Sequence, residues 1–131
     1  MARNDDTRAT GFSVGARLKS FVYAARGVRA VLSQHNAWIH AVATVVVVVG
    51  GVSFGLERYE WIAIVAAIAA VWTAEALNTA FERLCDVASP DFHPLVEQAK
   101  DIAAGAVLIA AVGAATIGVV VFLPHFMGTM R

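Results

Sequence analysis

Apolar and polar residues fall in long blocks along this chain. From Val14 to Leu32 the apolar positions recur at steps of three and four: Val14, Leu18, Phe21, Ala25, Val28 and Leu32. That spacing predicts a helix over residues 12–33 with one apolar stripe. Arg17, Lys19 and Arg26 flank the stripe. A helix built this way lies in a membrane interface with its cations near anionic headgroups; packing against another protein helix is the plainer alternative. Residues 1–11 are polar, and a mobile tail is expected there.

Beyond a polar connection over 34–40, three apolar blocks follow. The first, about 37–55, contains five consecutive valines, Val45 to Val49. Valine suits a buried strand, but this block is long enough to cross a bilayer as a helix, which takes roughly 17–25 residues. Backbone groups in lipid require a helix or a closed barrel, and no barrel repeat is present. A charged turn over residues 55–60 precedes the second block, about 61–84. Residues 85–99 read as a polar loop, with turn signals in Ser89-Pro90-Asp91-Phe92-His93-Pro94. The third block, about 102–123, carries no charge, and Pro124 is expected to close it. Small residues along it, from Ala103 to Gly118, let helix backbones approach closely. The expectation is an all-α membrane protein: one unit over 1–131, a surface helix and three spans. Three helices are few for enclosing a polar site, so an oligomer is expected.

Composition agrees with that picture. Of 131 residues, 59% are hydrophobic and 15% charged, with mean hydropathy +0.67. Formal net charge is zero, so no partnership with nucleic acid is expected. No A-x-A-like cleavage site follows the first apolar block, and the N-terminus is expected to be retained. The single cysteine, Cys85, reads as a small buried side chain. Six of the ten basic residues precede the first apolar block. By the positive-inside rule the N-terminus is cytoplasmic, as is the 85–100 region with Lys100.

Candidate chemistry concentrates in Glu75-Ala76-Leu77-Asn78-Thr79-Ala80-Phe81-Glu82. At about 100° per residue, positions 75, 78 and 82 share an arc of roughly 60°, and Asp86 extends the stripe. Ionisable groups in a spanning helix are costly and mark function by default. Glu75 and Glu82 attach about 10 Å apart along the axis, so they can serve different partners. Glu82, nearer water, suits a Mg²⁺ site with substrate phosphates. Glu75, deeper, suits a general base for a hydroxyl arriving from the lipid. Ile64, Ile68 and Val71 give it an apolar approach. The plain alternative is carboxylates bonded to partner helices. Lys100-Asp101 stands at the mouth of the third span, where the lysine can bind phosphate or form an interfacial pair with the aspartate. His93 can touch a nucleotide or sit solvated in its loop. His35 and His40 flank the first span, where snorkelling or capping explains them. Trp38 and Trp61 read as interface anchors. Neither a P-loop nor a zinc motif is present.

The combination of E-x-x-N-x-x-x-E over 75–82 with Ala99-Lys100-Asp101-Ile-Ala-Ala-Gly105-Ala-Val-Leu resembles the prokaryotic diacylglycerol kinase and undecaprenol kinase family. Phe21-Val-Tyr23-Ala-Ala-Arg-Gly27 and Asn36-Ala-Trp-Ile-His40 fit as well. The likeness extends from about residue 17 to 124. It implies a homotrimer with active sites shared between subunits, in a bacterial inner membrane. It implies transfer of the γ-phosphoryl of MgATP to a lipid alcohol, either diacylglycerol or undecaprenol. Glu75 matches the family's catalytic base, Asn78 an active-site position and Glu82 a metal ligand. Lys100 and Asp101 match residues serving the nucleotide phosphates. Tyr23 and the Asp91, Phe92, His93 loop match nucleotide contacts. The sequence departs from the family at one position. Where members often carry a second metal-binding glutamate, two residues before the asparagine of N-x-x-x-H, this chain has Gln34. Counting from Gly27 instead lands nearer His35. Gln34 offers a neutral carbonyl oxygen as a weaker metal contact. The alternatives are a small proton-coupled transporter, with Glu75 and Glu82 as relay groups, and a non-catalytic scaffold.

Overall fold

Residues 13–128 are described by a computed structural model. They form four helices: α1 (Val14–Leu32), α2 (Ala37–Phe54), α3 (Arg58–Ala88) and α4 (Pro94–Phe126). No strand occurs among the described residues. The tail expected over 1–11, and the start of the expected first helix at residue 12, lie outside them. Three helices, α2, α3 and α4, are long and apolar enough to cross a membrane.

The valine-rich block is helical, as backbone satisfaction in lipid demands. It ends at Gly55, whose φ of 70° is the left-handed conformation that glycine adopts without strain. The Gly55 N–H donates to Gly51 and Val52 carbonyls. Glu57 then caps α3 in a reciprocal box, its own N–H donating to Glu60 Oε2 at 2.7 Å. The expected charged turn over 55–60 is therefore shorter, because Arg58, Tyr59 and Glu60 already belong to α3.

The 85–99 loop shrinks to residues 89–93. At its start α3 continues to Ala88, so polar Arg83 and Asp86 ride on helix. At its end Pro94 opens α4 at a position where a missing N–H costs nothing. His93 caps it, with Nδ1 accepting from Leu95 N at 3.2 Å. Pro124 does not close the third span; α4 runs on to Phe126. So near a helix end, the bond proline removes is one of the last in the ladder.

The core is a seam on one face of α3. Leu56, Ile64 and Val121 form its centre, with Trp61, Ile117 and Phe122 against them. Cys85 is buried, as expected. Trp61 is part of the helix contact rather than only an interface anchor, since a Cβ on Gly51 would lie 2.8 Å from its ring. Glycine there lets α2 come close. At the same end Phe54 meets the rings of Phe122, His125 and Phe126. His125 Nε2 lies 2.9 Å from Glu60 Oε1. At the opposite end Trp72 Nε1 donates to Thr44 Oγ1 at 3.1 Å. Between these fastenings Val47 of α2 packs against the same core, and an apolar groove opens along the rest of the contact. Many remaining side chains of α2 and α4, such as Val45, Val49, Ile109 and Val120, point outward and stay exposed. On α1, Leu18, Phe21 and Val28 are also exposed. Arg83 reaches α1 through the Ala30 carbonyl at 3.5 Å.

Candidate functional site

A polar cleft of about 100 Å³ opens where the α1–α2 connection crosses α3. Gln34, His35 and Asn36 form one wall; Glu75, Asn78, Thr79 and Glu82 form the other. The α3 wall follows from helical spacing, which puts these four residues on one face. The opposite wall follows from a run of tight turns: Gln34 N donates to Val31 O, and Ala37 N to Gln34 O. They fold the connection back over α3.

Glu75 is 2% exposed, Asn78 7% and Thr79 4%. All three are polar groups withdrawn from water, which is costly without partners. His40 Nε2 lies 3.7 Å from Glu75 Oε2, an ion-pair distance but longer than a hydrogen bond. The His40 ring stands edge-on to Trp72, which the bond to Thr44 holds in turn. Asn78 Nδ2 donates to Glu82 Oε1 at 3.0 Å. The other end of that amide, Oδ1, is buried without a hydrogen-bond partner. Such orphaned acceptors are rare and call for an explanation. Glu82 is half-buried, so hydration falls from Glu82 to Glu75 as their spacing suggested.

Gln34, Glu75, Asn78 and Glu82 thus meet in one cleft. The remaining expected site residues do not line it. Tyr23 is exposed on α1, beneath the Arg26 guanidinium. Asp91 and Phe92 are exposed in the 89–93 loop, and His93 there caps α4. Lys100 is bound to Asp86 of α3, and Asp101 is exposed. His40, Thr79 and Asn36 were missed as site residues. In the sequence His40 stands at the mouth of an apolar block and closes the Asn36-Ala-Trp-Ile-His40 motif, neither of which assigns it a role. Its approach to Glu75 depends on how α2 packs on α3.

Among the described residues no group of three His, Cys, Asp or Glu side chains is placed to hold a metal. The side chains lining the cleft do offer oxygens: the Glu75 and Glu82 carboxylates and the Asn78 and Gln34 amides. That set fits Mg²⁺, which takes one or two carboxylates and completes its octahedron with water and substrate phosphates.

The family model of prokaryotic diacylglycerol kinases matches residues 22–122, a stretch that includes both walls of the cleft. The chain belongs to the prokaryotic diacylglycerol kinase family. It is similar to an undecaprenol kinase of Bacillus subtilis, 40% identical over 107 residues, 81% of this chain and 87% of that one. A diacylglycerol kinase of Synechocystis is 36% identical over 115 residues, 86% of this chain and 66% of that protein. Family membership agrees with the resemblance carried by the 75–82 and 99–108 motifs.

Proposed function

We propose that the protein is an integral-membrane kinase that transfers the γ-phosphoryl group of ATP to the hydroxyl of a lipid alcohol. The acceptor classes are those named by its relatives, diacylglycerol and undecaprenol. The observation that carries this reading is the buried Glu75 carboxylate. It lies in the polar cleft and 3.7 Å from His40, a residue that also lines an apolar groove. A lipid hydroxyl reaches it from the apolar side and a phosphate from the polar side.

Glu75 takes the hydroxyl proton as the lipid oxygen attacks the γ-phosphorus. The bond from that phosphorus to the bridging oxygen breaks, and ADP departs. Positioning and charge neutralisation supply most of the catalysis in such transfers. Glu82, held by Asn78 Nδ2, is the carboxylate that would bind Mg²⁺. When bound, Mg²⁺ neutralises charge on the phosphates. Tyr23, Asp91, Phe92, His93, Lys100 and Asp101 are assigned to the nucleotide by the family resemblance. We place the working form as a homotrimer in a bacterial inner membrane, with the N-terminus cytoplasmic and α1 on the membrane surface. Proton relay through the membrane lacks support: on α3 no ionisable residue lies between Glu60 and Glu75.

The test is incubation of purified protein with labelled MgATP and mixed micelles of either lipid. Phosphorylated lipid is expected, and its absence with both acceptors would overturn the reading. Glu75→Gln should keep nucleotide binding and lower turnover by about 10²–10⁴-fold, the usual worth of a general base.

A further inference from the structure

Hydroxyls within a helix commonly turn back on the helix itself. Thr44, Ser53 and Thr116 do so, donating to the carbonyls of His40, Val49 and Val112 at 2.7, 2.8 and 2.9 Å. Thr79 does not. Its side chain is 4% exposed, yet its hydroxyl meets no hydrogen-bond partner among the described residues. Thr73 makes no such bond either, but it is exposed rather than enclosed. A hydroxyl withdrawn from water without a partner is costly. Thr79 lines the polar cleft. Asn78 Oδ1 is sealed within the protein, whereas the Thr79 oxygen keeps contact with the open space of the cleft. The uncommitted hydroxyl is therefore presented to whatever enters there.

Its position on α3 narrows what that is. Glu75 and Glu82 lie within about 20° of one another around the axis, with Asn78 about 60° to one side and Thr79 about 40° to the other. Along the axis Thr79 is about 6 Å from Glu75 and about 4.5 Å from Glu82. A group that bridges the base and the phosphate-binding carboxylate passes level with it. Backbone N–H groups inside a helix are spent on the ladder, so this wall offers an anion side chains alone. Two of the four are carboxylates, and Asn78 Nδ2 already serves Glu82. Thr79 is the donor on the wall that is not engaged. Its branched Cβ restricts χ1, so the hydroxyl is held rather than free to wander.

We infer that Thr79 is a catalytic residue whose hydroxyl donates a hydrogen bond to an oxygen of the γ-phosphoryl group as it is transferred. The inference rests on the kinase reading above and adds a contact to it. The bond from the lipid oxygen to the γ-phosphorus forms, and the bond to the bridging oxygen breaks. The lipid proton goes to Glu75, and the electron pair leaves with ADP. Thr79 keeps its own proton throughout and makes no covalent bond. A donor fixed before the reaction, where charge shifts during transfer, lowers the barrier without reorganising.

Thr79→Val supplies a test, with a side chain of the same shape and no hydroxyl. Purified wild type, Thr79→Val and Thr79→Ser are compared in the same micelles at saturating Mg²⁺. Affinity is measured for ADP and for adenylyl imidodiphosphate, an ATP analogue whose γ group does not transfer. Thr79→Val should bind the analogue about tenfold more weakly and ADP within about twofold of wild type. With undecaprenol or dioleoylglycerol as acceptor its kcat should fall about 10–100-fold. KM for the lipid should stay within about twofold. Thr79→Ser, which returns the hydroxyl, should recover most of both losses.

Equal weakening for ADP and the analogue, or weakening for neither, overturns the inference. A loss confined to KM for the lipid does the same. Melting in detergent separates the contact from the fold. Thr79→Val should melt no lower than wild type, because an unpartnered hydroxyl does not stabilise the folded state. A lower melting temperature would assign the hydroxyl to the fold and overturn the inference. If wild type phosphorylates neither alcohol, the kinase reading itself fails and this contact falls with it.

Discussion

Glu75 and Glu82 sit two turns apart on one helix, and their surroundings make them different tools. Glu75 is buried with the His40 imidazole as its neighbour, whereas Glu82 is half-buried and tied to Asn78. On the proposed reading, Glu82→Gln should raise the Mg²⁺ concentration needed for half-maximal rate, and an unchanged magnesium titration would remove its ligand role. The converse change is Gln34→Glu. It adds a carboxylate to the same cleft and should lower that concentration, since hard cations favour charged oxygen. At this scale the sequence was readable wherever one helix supplied the whole relation. Residues 75, 78, 79 and 82 share a face by period alone. His40 reaches Glu75 across 35 positions of chain, and Lys100 turns to Asp86 across 14. Neither pairing follows from spacing, because each depends on how separate helices are docked.

Helix ends show a similar division. The spans were visible as apolar blocks, yet α3 and α4 extend well beyond them at the ends facing the 89–93 loop. Hydropathy marks where lipid starts, while caps mark where a helix stops. The deciding signals, His93 before Pro94 and Glu57 three residues before Glu60, are local and chemical. The contact between α2 and α3 turns on Gly51. An alanine there gains about 1 kcal/mol of helix propensity but pushes a methyl group to 2.8 Å from Trp61, and overpacking costs about 1–3 kcal/mol. Gly51→Ala should therefore melt at a lower temperature in detergent. Gly113→Ala, where no atom lies within 4 Å of the new methyl, should melt at the same temperature or higher. Equal behaviour of the two variants would show that the α2–α3 approach does not need the glycine.

For the molecule as a whole, the single chain leaves much apolar surface uncovered, on α4 above all. Lipid covers such a surface, and so do further copies of the chain. Sequence could announce the hydrophobic surplus but not its distribution between the two. The placement of Lys100 and Asp101 outside the cleft bears on this question. If the proposed trimer completes each cleft with these residues from a neighbouring copy, two inactive proteins should repair one another. Mixing Glu75→Gln with Lys100→Ala in detergent, followed by reconstitution, should restore part of the activity. No recovery in mixed trimers would mean that each cleft works with residues of one chain.

The turn between α2 and α3 has a consequence for how the protein is made. Only Gly55, Leu56 and Glu57 separate the two helices. With so short a tether, neither helix can settle across the bilayer while the other waits outside. On the proposed topology, with the N-terminus cytoplasmic, they enter together as a hairpin, tip first, carrying Glu57, Arg58 and Glu60 through the lipid. The Glu57–Glu60 box already satisfies backbone N–H groups at that tip, so what crosses is a closed end rather than a frayed one.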